Sequence, residues 1–235
     1  MRLPLVEANF AVSVDGKTAR KAGRAVDFTS RRDRRKMLEL RAAADAVMIG
    51  RATLETDDVP MRLPAEDLRR ARVRCGETPE PLRVIISARG RIKKTLRIFR
   101  CPGPPLIVFT TPAMPARTRA WLGEFAEVRV QKKRGPINLR SVLRILAKDC
   151  GVRRVVCEGG PTLLRALLAE GLVNRLHVTL TPFIFGGAAA PSLLGVAAAA
   201  RLPRSVRLHL EALESEGEEA FATYRLGPRG RRPLQ

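Results

Sequence analysis

Few patterns leave a chain as little freedom as a strand that runs into Gly-Gly-Pro with a helix on either side. Asn138 can cap a helix through Ala147 that Gly151 ends, and Arg153–Cys157 then reads as a β-branched strand. Glu158-Gly159-Gly160-Pro161-Thr162 follows, and Leu163–Glu170 reads as a second helix closed by Gly171. Arg175–Leu180 is again a strand. Strands joined through helices imply parallel pairing, because a hairpin cannot connect parallel neighbours.

The same alternation fills the preceding half. Leu5–Val14 is a strand ending in the turn signal Asp15-Gly16. Thr29 or Ser30 can cap a helix over Arg31–Ala44, with Met37, Leu40 and Ala44 on one face. Ala46–Ile49 is a short buried strand stopped by Gly50, and Leu82–Ile86 and Leu106–Thr110 are two more. The polar, Pro-containing stretch from Glu55 to Pro81 holds one short helix near Ala65–Val73. After Gly186-Gly187, Ala188–Ala200 reads as a small-residue loop or loose helix. Val206–Leu213 and Ala220–Leu226 then flank a Ser-Glu-Gly-Glu turn as a hairpin. The expected fold is one α/β domain over 1–227. Its central sheet is mostly parallel, with helices on both faces and an antiparallel C-terminal hairpin. Residues 228–235 form a basic Pro/Gly/Arg tail with nothing to pack, expected to be flexible.

Composition narrows the function. Hydrophobic residues make up 45% and charged residues 29%, which rules out a mostly disordered chain. No apolar run reaches the roughly eighteen residues of a membrane helix, and the start MRLPLVEANF is too short and too acidic for a signal peptide. Cys75, Cys101, Cys150 and Cys157 form no CxxC pair, so neither a disulfide scaffold nor a zinc site is indicated, and a reduced cytoplasmic protein is expected. The net charge of +21 suits a nucleic-acid partner. With aromatics at 4% and the basic residues scattered, however, an Arg-rich compositional bias or a small anionic ligand explains it better.

In such sheets ligands bind beyond the carboxyl ends of the strands, and three strand ends carry unusual residues. At Glu158–Thr162, two glycines let a ligand approach the backbone, and a helix begins with Pro161 at its first turn. With Glu158 aimed into the crevice and Thr162 as a cap, a phosphate or pyrophosphate cradle is favoured over a plain tight turn. After Gly50, Thr53 can cap the next segment, and the adjacent Asp57 and Asp58 are either a solvated loop or a cleft pair with one raised pKa. At Phe10–Lys17, small residues on the first strand allow a flat ligand to lie over it, although by itself an ordinary Asp-Gly turn is the better reading. His177 and His209 stand apart, so a His-based triad or metal site is not indicated. No GxSxG elbow and no P-loop occurs, which leaves redox chemistry with a bound phosphorylated cofactor.

SVDGKTA, LRAAADAVMIGRATLETDD, PLRVIIS and CEGGPTLLRALLAEGLVNRLHVTLTPFIFGG, in this order, resemble the pyrimidine reductase domain of riboflavin biosynthesis. That domain is the carboxy-terminal part of the bifunctional deaminase–reductases and is related to dihydrofolate reductase. The resemblance spans residues 5 to 226. It implies a dihydrofolate-reductase-like fold, NADPH as hydride donor, a homodimer, and reduction of a ribosylaminopyrimidine 5′-phosphate to its ribityl form. The zinc deaminase motifs HxE and PCxxC are absent, so a stand-alone reductase is expected. The family pattern puts cofactor against Ala11, Thr53, Asp57, Ser87 and the turn and helix start Gly159, Gly160, Pro161, Thr162 and Leu163. It puts substrate near Arg41, Asp58, Arg62 and Glu158, with Asp57 and Glu158 as the carboxylates that assist catalysis. A surface ion pair is the alternative for Arg41. The chain departs from the pattern at Ala25 and Asp27, where the family has Ser and Trp. It departs again at Asp57-Asp58-Val59-Pro60-Met61-Arg62-Leu63, where one residue is inserted and Arg62 takes the place of a missing Arg. Two other functions stay open: a reductase of the same fold acting on a pterin, and a basic nucleic-acid-binding protein.

Overall fold

The structure, a computed structural model, describes residues 2–19, 28–195, 202 and 205–227. Its strands are β1 (Leu5–Ser13), β2 (Ala46–Gly50), β3 (Leu82–Ile86), β4 (Leu106–Thr110), β5 (Glu127–Val130), β6 (Arg154–Cys157), β7 (Arg175–Thr181), β8 (Leu208–Glu216) and β9 (Glu219–Leu226). They form one sheet in the order β5-β4-β3-β2-β6-β1-β7-β9-β8. Every pairing from β5 across to β7 is parallel, while β9 joins β7 and β8 joins β9 antiparallel. The predicted mixed sheet and closing hairpin are thus present, with β3 and β4 at their predicted bounds.

The helices are α1 (Arg31–Ala43), α2 (Arg51–Asp57), α3 (Glu66–Arg74), α4 (Arg97–Arg100), α5 (Ala116–Gly123), α6 (Leu139–Cys150) and α7 (Pro161–Ala169). Both faces of the sheet are covered. On one, Val6, Ala8, Met48, Val84, Val155 and Cys157 pack against Leu143 and Leu146 of α6 and Leu164 and Leu167 of α7. On the other, Val47, Ile49, Ile85, Val108 and Val156 pack against Leu54 of α2, Ile98 of α4 and Leu122 of α5. Caps behave as the sequence suggests in two places. Asn138 accepts from the Ser141 N–H, and Gly151 closes α6 at φ 67°, a conformation that costs glycine nothing. Ser30, rather than Thr29, caps α1 by accepting from Arg32 and Asp33.

Several expectations need correction. Residues 51–57 are helical, not loop, and Thr53 lies inside α2, whose N-cap is Gly50 with no side-chain bond. Thr162 likewise lies inside α7, which begins at Pro161 after Gly160. Met37 and Leu40 are only half-buried, and the buried residue of α1 is Arg41. The reason is polar packing. Where α1 crosses β7, Asp33 accepts a 2.6 Å hydrogen bond from Thr179, and burial raises the Asp33 pKa. His177 bridges Glu7 and Thr223 at 3.0 Å each on the same face. The short elements α4, α5 and β5 carry no strong cap or periodicity, and the sequence pattern does not reveal them. Part of the arginine excess is structural, since Arg41, Arg72 and Arg83 are buried. Ala25, Asp27, residues 196–200 and the tail 228–235 lie outside the described residues.

Candidate active site

The strands at the centre of the sheet differ in length, and that difference makes the site. β6 stops at Cys157, level with Ala8 of β1 and Met48 of β2, whereas β1 continues to Ser13. Beyond Cys157 the chain stays with β2. The Glu158 N–H donates to the Met48 carbonyl at 3.0 Å, and the Gly50 N–H donates to the Gly159 carbonyl at 2.7 Å. The turn therefore parts from β1, and the hydrogen-bonded ladder is notched between Glu158–Gly160 and the stretch of β1 that contains Ala11, with the Phe10 ring beside it, 3.8 Å from where a Gly159 Cβ would stand. α7 starts at its rim with Pro161 in the first turn.

Glycine is required here for two separate reasons. Gly159 has φ 117°, a region closed to residues with a Cβ. A Cβ on Gly160 would stand 2.0 Å from Thr53 Oγ1, and one on Gly50 would stand 3.3 Å from the Gly160 nitrogen. The Gly159–Gly160 peptide is cis. Thr53, Gly159, Gly160 and Leu163 are thereby gathered at one place, with Ala11 across the notch. Asp57 lies one helical turn beyond Thr53 on α2, hence on the same side of that helix. Its side chain is exposed, yet the protein around it displaces part of the water that would solvate the charge, and this desolvation raises its pKa to about 6.

Glu158 does not stand free in the crevice. Arg41 Nε donates to Oε1 at 2.6 Å and Nη2 to Oε2 at 2.7 Å, with the two side chains only 6% and 8% exposed. Arg41 Nη1 also donates to the Arg62 carbonyl. Burial alone would weaken the charge on Arg41, but the attraction of Glu158 prevails and its pKa is raised. The surface-pair alternative for Arg41 is thus overturned: no local pattern signals that a helix from one end of the chain meets the turn after β6. Each Glu158 oxygen keeps a further lone pair for a ligand donor.

The remaining candidates are placed otherwise. Ser87 follows β3 and is buried, two strands away from β6 in the sheet order, with Arg89 and Arg91 exposed beside it. Asp58 closes α2 in the left-handed region and accepts from the Arg97 N–H at 2.7 Å. Arg62 turns its guanidinium onto Glu80 and the Pro102 carbonyl. Asp15 proves more than a turn residue. It accepts from Ser13 Oγ at 2.6 Å and from the Phe185 and Gly186 N–H groups, and these bonds hold its pKa down to about 2. It thereby ties the loop after β1 to the loop after β7. Two concavities, about 440 Å³ at the amino ends of β3 and β4 and about 220 Å³ between α1 and β7–β9, lie away from the notch.

Comparison with known proteins agrees with this geometry. Residues 4–220 match the family described as the RibD C-terminal domain. The 2,5-diamino-6-ribosylamino-4(3H)-pyrimidinone 5′-phosphate reductase of Methanothermobacter thermautotrophicus is 31% identical over 221 residues, 94% of this chain and 97% of that protein. The protein of the same name from Archaeoglobus fulgidus is 31% identical over 195 residues, 81% of this chain and 85% of its own. Among solved structures, a pyrimidine reductase-like protein from Corynebacterium diphtheriae superposes with a TM-score of 0.81 at 23% identity, covering 96% of this chain and 92% of that one. Dihydrofolate reductase from Enterococcus faecalis, complexed with NADP(H), shares the fold at a TM-score of 0.51 and 14% identity, covering 95% and 97%. A nine-stranded sheet notched at β6, a glycine pair at its floor and a family match over nearly the whole chain lead to one conclusion: this chain belongs to the RibD C-terminal domain family.

Proposed function

We propose that the protein is an NADPH-dependent pyrimidine reductase of riboflavin biosynthesis, acting on 2,5-diamino-6-ribosylamino-4(3H)-pyrimidinone 5′-phosphate or its deaminated equivalent. The observation that carries this reading is the glycine turn at the end of β6, packed against Thr53 and directly preceded by the buried Arg41–Glu158 pair, with Asp57 one turn beyond Thr53 on α2. The notch suits a flat nicotinamide because close approach to Gly159 and Gly160 meets no side chain of their own. Ala11, Thr53 and the Gly159–Leu163 turn are the residues that would hold the cofactor. Ser87 with Arg89 or Arg91 would take a 2′-phosphate, the feature that separates NADPH from NADH.

When bound, NADPH supplies a hydride to C1′ of the opened ribosylamine. The chain's own residues supply charge and orientation. A protonated iminium accepts hydride far better than a neutral imine, and a carboxylate in a poorly hydrated cleft stabilises that cation. Asp57 is the better placed for this role, since its charge has no ion-pair partner among the described residues and its pKa of about 6 leaves it mostly ionised near neutrality. Glu158, neutralised by Arg41, serves instead as a fixed acceptor for substrate N–H or O–H groups. Neither group delivers a proton to carbon, so the arrangement needs no histidine.

We take residues 1–227 as one reductase domain working as a cytoplasmic homodimer. The exposed Leu210 and Leu213 on the edge strand β8 support the dimer, which sedimentation velocity would check. The decisive assay is NADPH oxidation with three substrates in parallel: the diamino pyrimidine, its deaminated form, and dihydrofolate. Turnover of dihydrofolate alone would replace this reading with a pterin reductase, and turnover of none would refute it.

A further inference from the structure

Between α2 and α3 the backbone does something costly. Asp58 and Met61 both have positive φ, 45° and 53°, and Met61 is fully buried. A bulky residue held in the left-handed region persists only where its surroundings dictate it. Groups from outside the segment supply that constraint: the Arg97 N–H donates to Asp58, Arg83 Nη1 donates to the Pro60 carbonyl at 3.2 Å, and one carboxylate holds the residues after Met61. Glu80, buried in the approach to β3, accepts from Arg62 Nε at 2.7 Å, from Arg62 Nη2 at 2.6 Å and from the Leu63 N–H at 3.0 Å. It therefore grips the two residues that directly follow Met61.

The gripped segment faces the site. Arg62 presents its carbonyl to Arg41 Nη1, and Arg41 in turn holds both oxygens of Glu158. At the other end of the same segment stands Asp57. Glu80 also supplies negative charge to Arg62 and to Arg83, whose guanidinium is buried on carbonyl oxygens, and adds to that of Glu158 on Arg41. Without it, Arg62 would lose both arms of its ion pair and lie beside Arg83 with like charge facing like.

We infer that Glu80 is a positioning residue for the reductase reaction: it fixes the backbone of 58–63 and, through the Arg62 carbonyl and Arg41, the orientation of Glu158. This rests on the proposed pyrimidine reductase activity for its kinetic part only. It gives a catalytic consequence to a carboxylate that touches neither the notch nor the strand ends around it.

The test uses the full chain with Glu80→Ala and Glu80→Gln, read by amide hydrogen exchange and by steady-state kinetics. Exchange in Glu80→Ala should rise about tenfold or more both in 57–64 and in the Glu158–Gly160 turn, with the strands of the sheet unchanged. kcat should fall about tenfold or more while the NADPH dissociation constant stays within about twofold, and Glu80→Gln should recover part of both effects. A purely structural residue would lower the melting temperature without moving kcat of the folded enzyme. Unchanged exchange at the Glu158–Gly160 turn, unchanged kcat, or loss of NADPH affinity in step with kcat would each overturn the inference. Should the wild type fail to turn over any ribosylaminopyrimidine, the proposed function falls. The exchange comparison then decides the role of Glu80 alone: spread to the Glu158 turn supports it, and confinement to 61–63 overturns it.

Discussion

Replacing Glu158 by Gln removes one charge and leaves its partner where water cannot reach it. Arg41 and Glu158 are joined by two hydrogen bonds of 2.6 and 2.7 Å, with 6% and 8% of their side chains exposed. Breaking such a pair from one side costs about 3–5 kcal/mol, because an uncompensated cation stays buried. The Gln carbonyl still accepts one of the two bonds, which places the expected cost near the lower end, about 3 kcal/mol. For a chain of this size each kcal/mol lowers the melting temperature by roughly 2–4 °C, so Glu158→Gln should melt about 6–12 °C early. Arg41→Met should be destabilising by a similar route, since it strands the carboxylate. The double variant, with neither charge of the pair left, should be more stable than either single one. Turnover, measured well below the melting point of each variant, should fall roughly a hundredfold for Glu158→Gln. Thermal unfolding of the wild type, both single variants and the double variant closes the cycle. A melting temperature for Glu158→Gln within about 2 °C of wild type, with single effects that simply add, would refute the pairing as the reason for the buried arginine.

Three further outcomes are expected. Because Asp57 has a pKa of about 6 against an ordinary 3.8, the folded state retains a proton that the unfolded chain releases between those values. The stability contributed by this group therefore rises as pH falls from about 6 to about 4; urea unfolding across that range should show it, and Asp57→Asn should abolish it. Gly160→Ala is compatible with the backbone at φ −92° but sets its Cβ against Thr53 Oγ1. A destabilisation of about 1–3 kcal/mol and weaker NADPH binding should result, with Thr53→Ala in the same chain restoring the stability; no change in either measurement would remove the turn from the site. Fluorescence titration should show tighter binding of NADPH than NADH, with Arg89→Ala together with Arg91→Ala narrowing the gap, whereas equal affinities in the wild type would discard the Ser87 region as a phosphate subsite.

Strand runs such as Leu82–Ile86 and Leu106–Thr110 are legible in the sequence because burial on both faces of a parallel sheet demands unbroken apolar stretches. The glycine turn is legible because backbone approach and a positive φ restrict the residue type before any folding occurs. α2 escapes sequence reasoning because its seven residues carry no capping side chain and run into two adjacent acids, Asp57 and the C-cap Asp58, which locally resemble a loop. The Arg41–Glu158 pair joins residues far apart in the chain, and no short-range pattern encodes such a meeting. Glu80 is hidden for the same reason: between two prolines it looks like a solvated loop residue, and only the folded chain brings Arg62 and Leu63 to it.

Because β6 parts from β1 after Cys157, the peptide groups of Glu158–Gly160 are left beside the break in the ladder, with the side chains of neighbours such as Phe10 and Thr53 near them. Peptide groups are common to every residue, so what the sequence controls there is clearance, which Gly159 and Gly160 preserve and a side chain would close. Side chains that come from helices, such as Asp57 on α2, set the chemistry beside those peptide groups and can be exchanged without moving a strand end. The fold thus separates a backbone half that depends on bare glycines from a half whose side chains mutation can retune. A lineage could change what it reduces by altering a few helix positions while leaving the strand ends untouched. Lengthening β6 by a residue or two would do the opposite: it would zip the sheet shut and erase the crevice without altering one side chain in it.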